Sequence, residues 1–255
     1  MEFDNTESSK IEQHYTGGNY WSNREDSDAS YKIDLLDSFL QTINLDLYHV
    51  SDKECLTISE IGCGQGAFLF PLANYLTEKQ IAFKLTGYDI ASQAIELAKS
   101  RNKYSEKSLS FCVGSSERVA GQQDIIFIMD VLEHVANPIL FLEDFKGKSK
   151  YLIIHLPIEQ SLFHLLFSIP NVSYKTFKHI HFFSWETANI LIKETPFSLV
   201  NYQFTAASKI SLTAPGSLPI RIFRILRYII YQISPKFASM VMGGSVLLLL
   251  ENNKH

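Results

Sequence analysis

The nine residues Glu60-Ile61-Gly62-Cys63-Gly64-Gln65-Gly66-Ala67-Phe68 leave this chain few folds to choose from. A short β-prone run, Leu56-Thr57-Ile58-Ser59, precedes them, and residues 68–76 carry apolar side chains at helical spacing. Strand, glycine turn and helix in that order form a nucleotide-binding turn. Glycines let the backbone approach a ligand without Cβ interference, and the following helix offers its positive end. Gly62, Gly64 and Ala67 also satisfy G-x-G-x-x-G/A, so the turn by itself admits a dinucleotide.

Two acids narrow the ligand. Glu60 stands just before the first glycine, where a carboxylate faces an ammonium group, and Asp89 ends the next β-prone run, where a carboxylate accepts from both hydroxyls of a ribose. A nucleoside with a positive tail meets both demands. Beyond the turn, strands are expected at 84–89, 109–113, 124–129 and 151–156, with helices at 91–101 and 138–145 between them. Such alternation implies a parallel sheet with right-handed crossovers. Residues 124–129 are apolar after the first, as suits a central strand buried on both faces. A helix is expected at 31–47, another at 184–194 with Ser184 as its N-cap, and closing strands at 197–204 and 245–250.

At 255 residues, 46% hydrophobic and 20% charged, the chain accommodates one large α/β domain. Its formal net charge of −4 argues against nucleic acid as a partner. Cys55, Cys63 and Cys112 are odd in number and lack paired spacing, so no metal site is expected and the setting is a reducing, cytoplasmic one. The acidic, polar start reads as neither a secretory signal nor a transit peptide, and no apolar run of about 20 residues supports a membrane span.

Glu60 to Gly66, Asp89 and the run Asp130-Val131-Leu132-Glu133-His134-Val135-Ala136-Asn137-Pro138 together resemble the class I S-adenosylmethionine-dependent methyltransferases. The resemblance covers about 35–204. It implies a Rossmann-like α/β fold, a mostly parallel seven-stranded sheet with an antiparallel closing strand and helices on both faces. By it, Gly62, Cys63, Gly64 and Gly66 lie against the methionine part of the cofactor, Asp89 holds the ribose, Ile90 packs on the adenine, and Asp130 and Val131 border methionine and substrate. After the third strand, where the family often has an acid, this chain has Ser115-Ser116-Glu117. Ser115, Ser116 or Glu117 then takes the adenine amino group.

The segment Lys178-His179-Ile180-His181-Phe182-Phe183-Ser184 resembles the branch of small-molecule methyltransferases that includes quinone-biosynthesis and saccharide or natural-product enzymes, in which it borders the acceptor. Methyl transfer from a sulfonium is an in-line displacement in which alignment supplies much of the rate, and a base is needed only for an acceptor hydroxyl that stays protonated. His179 and His181 are the candidate bases, and alternation along an extended segment sends both to one face. His155 and His164 have no evident partner.

The whole is expected to be a single domain, 1–255, with three additions. Residues 1–30 form an arm or lid whose Tyr20 and Arg24 reach the cofactor, 158–183 border the acceptor, and 206–244 carry a basic apolar helix. Residues 218–233 place Arg221, Arg224, Arg227, Tyr228 and Tyr231 on one polar stripe among large apolar residues, and no acid occurs between Glu194 and Glu251. Such a helix packs on the domain or in a homodimer with its arginines in water, or it lies at a membrane surface or over a hydrophobic or phosphorylated acceptor. The expected activity is methyl transfer to a hydroxyl or carboxyl oxygen of a small, hydrophobic or lipid-linked acceptor. The alternatives are a nicotinamide-dependent oxidoreductase and a non-catalytic membrane- or partner-binding protein.

Overall fold

The computed structural model describes residues 29–43, 55–205 and 217–253. The expected N-terminal arm with Tyr20 and Arg24, and residues 206–216 of the last insertion, lie outside the described residues.

Among the described residues the chain runs α1 (Ala29–Thr42), β1 (Leu56–Ile61), α2 (Leu69–Glu78), β2 (Phe83–Asp89), α3 (Ser92–Arg101), β3 (Leu109–Val113), β4 (Gln123–Met129), α4 (Pro138–Glu143) and β5 (Ser149–Ile158). It continues with α5 (Leu162–Leu166), α6 (Ile169–Phe177), α7 (Trp185–Lys193), β6 (Phe197–Thr205), α8 (Leu218–Ile233), α9 (Pro235–Met242) and β7 (Gly244–Asn252). The seven strands follow the order β3-β2-β1-β4-β5-β7-β6. Pairings of β1 with β2, β1 with β4 and β2 with β3 are parallel, and β6 runs antiparallel to β7. This is the mostly parallel Rossmann-like sheet with an antiparallel closure that the alternation and the resemblance imply. β5 is longer than expected because Ile158 pairs onward with Phe183.

The backbone clusters into two compact units, one of 1–129 and 144–152, the other of 130–143 and 153–253, apart from the last residues. The first unit is built on apolar strands: Ile125, Ile126, Phe127 and Ile128 of β4 are all buried, as are Leu69, Leu72, Ala73 and Leu76 on the inner face of α2. Pro71 is tolerated because it stands in the first turn of α2, where its missing N–H has no helical partner. Asp124 anchors the foot of β1, accepting from Thr57 N–H at 2.9 Å and Thr57 Oγ1 at 2.8 Å.

In the second unit β7 buries Val246 to Leu250, whereas β6, at the sheet edge, alternates half-buried and exposed positions between buried ends. α7 begins with a capping box: Ser184 Oγ accepts from Thr187 N–H at 3.1 Å and Thr187 Oγ1 accepts from Ser184 N–H at 2.9 Å. The 158–183 insertion folds as the short helices α5 and α6. Ser168, in the left-handed region at φ 52°, turns the chain between them, and Lys178 at φ 61° ends α6.

Candidate functional site

Strand order reverses between β1 and β4, and in open parallel sheets ligands bind outside the carboxyl ends of the strands at such a reversal. The glycine turn lies at the carboxyl end of β1 and Asp89 at that of β2. Gly62, Gly64 and Gly66 have φ of 75°, 53° and 83°, which is why glycine stands at each. Gly66 is further confined, since a Cβ there meets Phe111 and Phe70 at 2.9 Å.

The backbone donors of this turn have internal partners. Gly62 and Cys63 N–H donate to Tyr88 O at 2.8 and 3.0 Å, Gly66 N–H to Cys63 O at 2.9 Å, and Gly64 N–H to Asp89 Oδ2 at 2.8 Å. The expectation that the turn offers its N–H groups to a ligand is therefore corrected at these four positions. A pyrophosphate needs such donors, so the finding weighs against a dinucleotide. Buried Asp89 also accepts from Ala91 N–H at 2.8 Å through Oδ1, which fixes the carboxylate plane. Ile90 beside it is exposed, as an apolar platform for a ring must be.

Cys63 is buried, its Sγ toward Gly64 O at 3.6 Å and against the α-carbon side of Gly87. Burial first, and then the nearby carboxylates of Glu60 and Asp89, raise its pKa, so the thiol stays neutral. Glu60 is buried at the end of β1. After β3, Ser116 Oγ donates to Asp144 Oδ2 at 2.8 Å, which occupies that hydroxyl's proton. Ser115 N–H donates to Glu117 Oε1 at 3.0 Å, so Ser115 and Glu117 form one local turn.

The second unit holds the remaining expected residues. Asp130, directly after β4, has φ 56°, rare for a residue other than glycine, and Val131 follows half-buried. Asp130 Oδ1 lies 2.5 Å from His155 Nδ1, and His155 Nε2 lies 3.3 Å from Thr205 Oγ1, which pairs with Ser245 Oγ. His155 thus has the partner that its sequence did not reveal. A polar residue inside the apolar strand Leu152 to Leu156 was the available signal.

His179 and His181 have different surroundings. His179 Nδ1 is 2.7 Å from Glu159 Oε2, and Ser173 Oγ donates to Glu159 Oε1 at 2.7 Å. Its ring meets His134 edge-on at 4.8 Å between centroids. His181 stacks near Phe183, and its buried Nε2 has no hydrogen-bond partner. Glu133 O accepts from Ile180 and His181 N–H at 2.9 and 3.0 Å, tying this segment to the loop after β4. Burial opposes ionisation of Glu159, but the hydrogen bonds from His179 and Ser173 overcome it and lower its pKa.

Glu159 is the candidate residue that sequence reading missed. It is the sole acid between Asp144 and Glu186, in a stretch rich in histidine and aromatic residues. Glu133, His134 and His179 also bring one ligand atom each within 4.8 Å of one another, the sole such trio of potential metal ligands found among the described residues.

Residues 59–148 match the family model described as a methyltransferase domain. A ubiquinone biosynthesis O-methyltransferase of Bartonella quintana (strain Toulouse) is 34% identical over 102 residues, 39% of each chain. The match thus spans about two fifths of that relative's length. Magnesium protoporphyrin IX methyltransferase from Synechocystis PCC 6803, solved with bound SAH, superposes with a TM-score of 0.53 at 13% identity, over 97% of this chain and 95% of that one. Geranyl diphosphate C-methyltransferase from Streptomyces coelicolor A3(2) gives 0.55 at 10% identity, over 96% and 97%. At such identities the structures speak for the fold alone, and the matched sequence speaks for the family. With the glycine turn, the acids at Glu60 and Asp89 and the strand order, residues 59–148 are similar in sequence and fold to a methyltransferase domain.

Proposed function

We propose that this protein transfers a methyl group from S-adenosylmethionine to a hydroxyl or carboxyl oxygen of a small, hydrophobic acceptor. The observation that carries the oxygen reading is the Glu159–His179 pair at 2.7 Å. The sulfonium, when bound, supplies an electrophilic methyl. Gly62, Gly64 and Gly66 would give it close backbone approach, Glu60 would face its ammonium group, Asp89 its ribose hydroxyls, and Ile90 and Ser115 its adenine.

The pKa of Glu159 is lowered, so the acid is ionised at neutral pH and accepts Nδ1–H of His179. That assignment leaves Nε2 of His179 with a lone pair for an acceptor proton. Ser173, on Glu159's other oxygen, prevents the carboxylate from rotating away. Glu159 is a positioning residue and His179 the base. His181, without an acid partner, is a weaker candidate for the same step. Asp130, at φ 56° and oriented by His155, would by the resemblance serve the methionine and the acceptor. The relative named above, a ubiquinone biosynthesis O-methyltransferase, supports an oxygen acceptor.

A second reading has a divalent cation on Glu133, His134 and His179 lowering the acceptor's pKa in place of a base. Dialysis against a chelator separates the two, because activity retained after chelation excludes it.

The first test is binding. S-adenosylhomocysteine raises the melting temperature of the wild type, and Asp89→Asn, which keeps one acceptor oxygen for the turn, weakens the shift. The second is transfer of labelled methyl into metabolite and lipid extracts, with label expected in an ether or ester of an apolar fraction. Absence of binding by calorimetry would falsify the reading.

A further inference from the structure

Helix α8 faces the wrong way for a helix that belongs to a core. Its half-buried positions are Phe223, Arg224, Arg227, Tyr228, Ile230 and Tyr231. Arg227 Nη2 donates to Gly243 O at 3.0 Å, Tyr231 Oη donates to Phe204 O, and Phe223 stacks on Phe163 with centroids 4.2 Å apart. The polar stripe therefore fastens the helix to backbone carbonyls. The opposite stripe, Leu218, Ile222, Ile225, Ile229 and Ile233, is 71, 49, 51, 50 and 80% exposed. No residue of α8 is fully buried.

The adjoining helices do the same. α9 turns Phe237 and Met240 outward, and α5 turns out Leu162, Leu165 and Leu166, with Phe167 exposed just after it. Monomeric proteins seldom show so much large apolar surface without a use for it. Charge selects the occupant. Residues 160–250 hold eight Lys or Arg against two acids, Glu186 and Glu194, in a chain whose formal net charge is −4, and Glu186 lies 3.8 Å from Lys236 of α9. A second copy of the chain would bring this cationic surface against itself, since a two-fold contact pairs each patch with its own image. An anionic bilayer is complementary to both the apolar stripe and the charge. Sixteen residues make α8 about 24 Å long, too short to cross a bilayer's hydrocarbon, and among the described residues no helix is long and apolar enough to do so.

We infer that α8, with α5 and α9 beside it, is a docking face that lies in the headgroup region of an anionic membrane, apolar stripe inward to the lipid. The face is independent of the methyl-donor reading. It gives the base segment, which follows α5 and α6 in the same unit, access to an acceptor held in the bilayer.

The test is flotation of the full chain with phosphatidylcholine vesicles, with and without phosphatidylglycerol. Binding is expected only to the anionic vesicles and weakens with salt. Arg221→Ala lowers the partition about fivefold, and Ile225→Asp with Ile229→Asp lowers it by roughly tenfold or more. These side chains point outward, so the melting temperature is unchanged in all the variants, which separates lost docking from lost folding. No flotation of the wild type with either vesicle overturns the inference. So does a dimer in sedimentation velocity that Ile225→Asp splits, or flotation indifferent to all three substitutions. S-adenosylhomocysteine binding, measured on the same samples, reports separately on the donor site.

Discussion

Helices α2 and α8 are both apolar-rich amphipathic helices, yet they turn opposite faces inward. α2 buries Leu69, Leu72, Ala73 and Leu76 against the sheet, and Phe68 before it meets Phe127 edge-on at 5.0 Å. α8 puts Arg227 and Tyr231 inward and leaves its isoleucines outside. The difference lies in what holds each helix. Removal of apolar area from water holds α2, at roughly 25 cal/mol per Å², whereas α8 is held by hydrogen bonds worth about 1 kcal/mol each and by stacking of Phe223. A helix of the first kind serves the fold. One of the second kind keeps its apolar face for another surface.

The same contrast separates the polar groups. In the first unit Asp89 and the turn's N–H groups hold backbone, while in the second Glu159 and Asp130 hold imidazoles. If that division is right, His179→Ala separates activity from stability. Loss of a general base costs roughly 10²- to 10⁴-fold in turnover, with S-adenosylhomocysteine binding nearly unchanged and stability lowered only by the lost hydrogen bond to Glu159, about 1–3 kcal/mol. A comparable fall in both would make His179 a structural residue and erase the contrast. Glu159→Gln is expected to show an intermediate loss of kcat with little change in cofactor affinity.

A smaller effect sharpens the comparison of the helices themselves. Leu72→Ala should destabilise by about 2–5 kcal/mol, the range for a fully buried leucine. Ile229→Ala should stay within about 0.5 kcal/mol, as surface substitutions do. Urea denaturation of both variants reads the difference directly. A large loss for Ile229→Ala would mean that its stripe is covered within the folded protein.

Most of the sheet was legible because its signals are local. The glycine turn, the apolar run of β4 and the Ser184 cap each occupy a few consecutive residues, and the strands fall within about three residues of their expected ends. The acid–imidazole pairs were not legible, because Glu159 and His179 are 20 positions apart and Asp130 and His155 are 25 apart. Neither pair shares an element, so only the fold brings them together. For α8 the periodicity at 218–233 revealed two faces but not which one turns inward. That was decided by the carbonyls of Gly243 and Phe204, on α9's end and on β6, which no pattern within the helix encodes. The reading with arginines in water holds for exposed Arg221, and is corrected at Arg227, which is turned in against Gly243 O.

The smallest expected effect concerns the junction between α5, α8 and α9, where His164 packs on Gly243 with Nδ1 3.2 Å from Glu159 O. Burial, followed by the charge of Arg227, overcomes the pull of Glu159 and lowers the pKa of His164 from its usual 6.5. A buried histidine kept neutral binds fewer protons folded than unfolded. Stability is therefore undiminished by this group above pH 6.5, and it falls as pH drops below that value toward the lowered pKa. Glu159 runs in a separate window: its lowered pKa contributes stability above the usual 4.5, lost only as pH falls through the lowered value. Melting temperatures between pH 7.5 and 5.5 should accordingly drop more for the wild type than for His164→Phe, which keeps a ring against Gly243 without a titrating nitrogen. Equal drops would remove His164 from the account. A wild type more stable at the acid end, relative to His164→Phe, would mean that the imidazolium is welcomed at this junction by an anion, and that the cationic face reaches inward as far as Arg227.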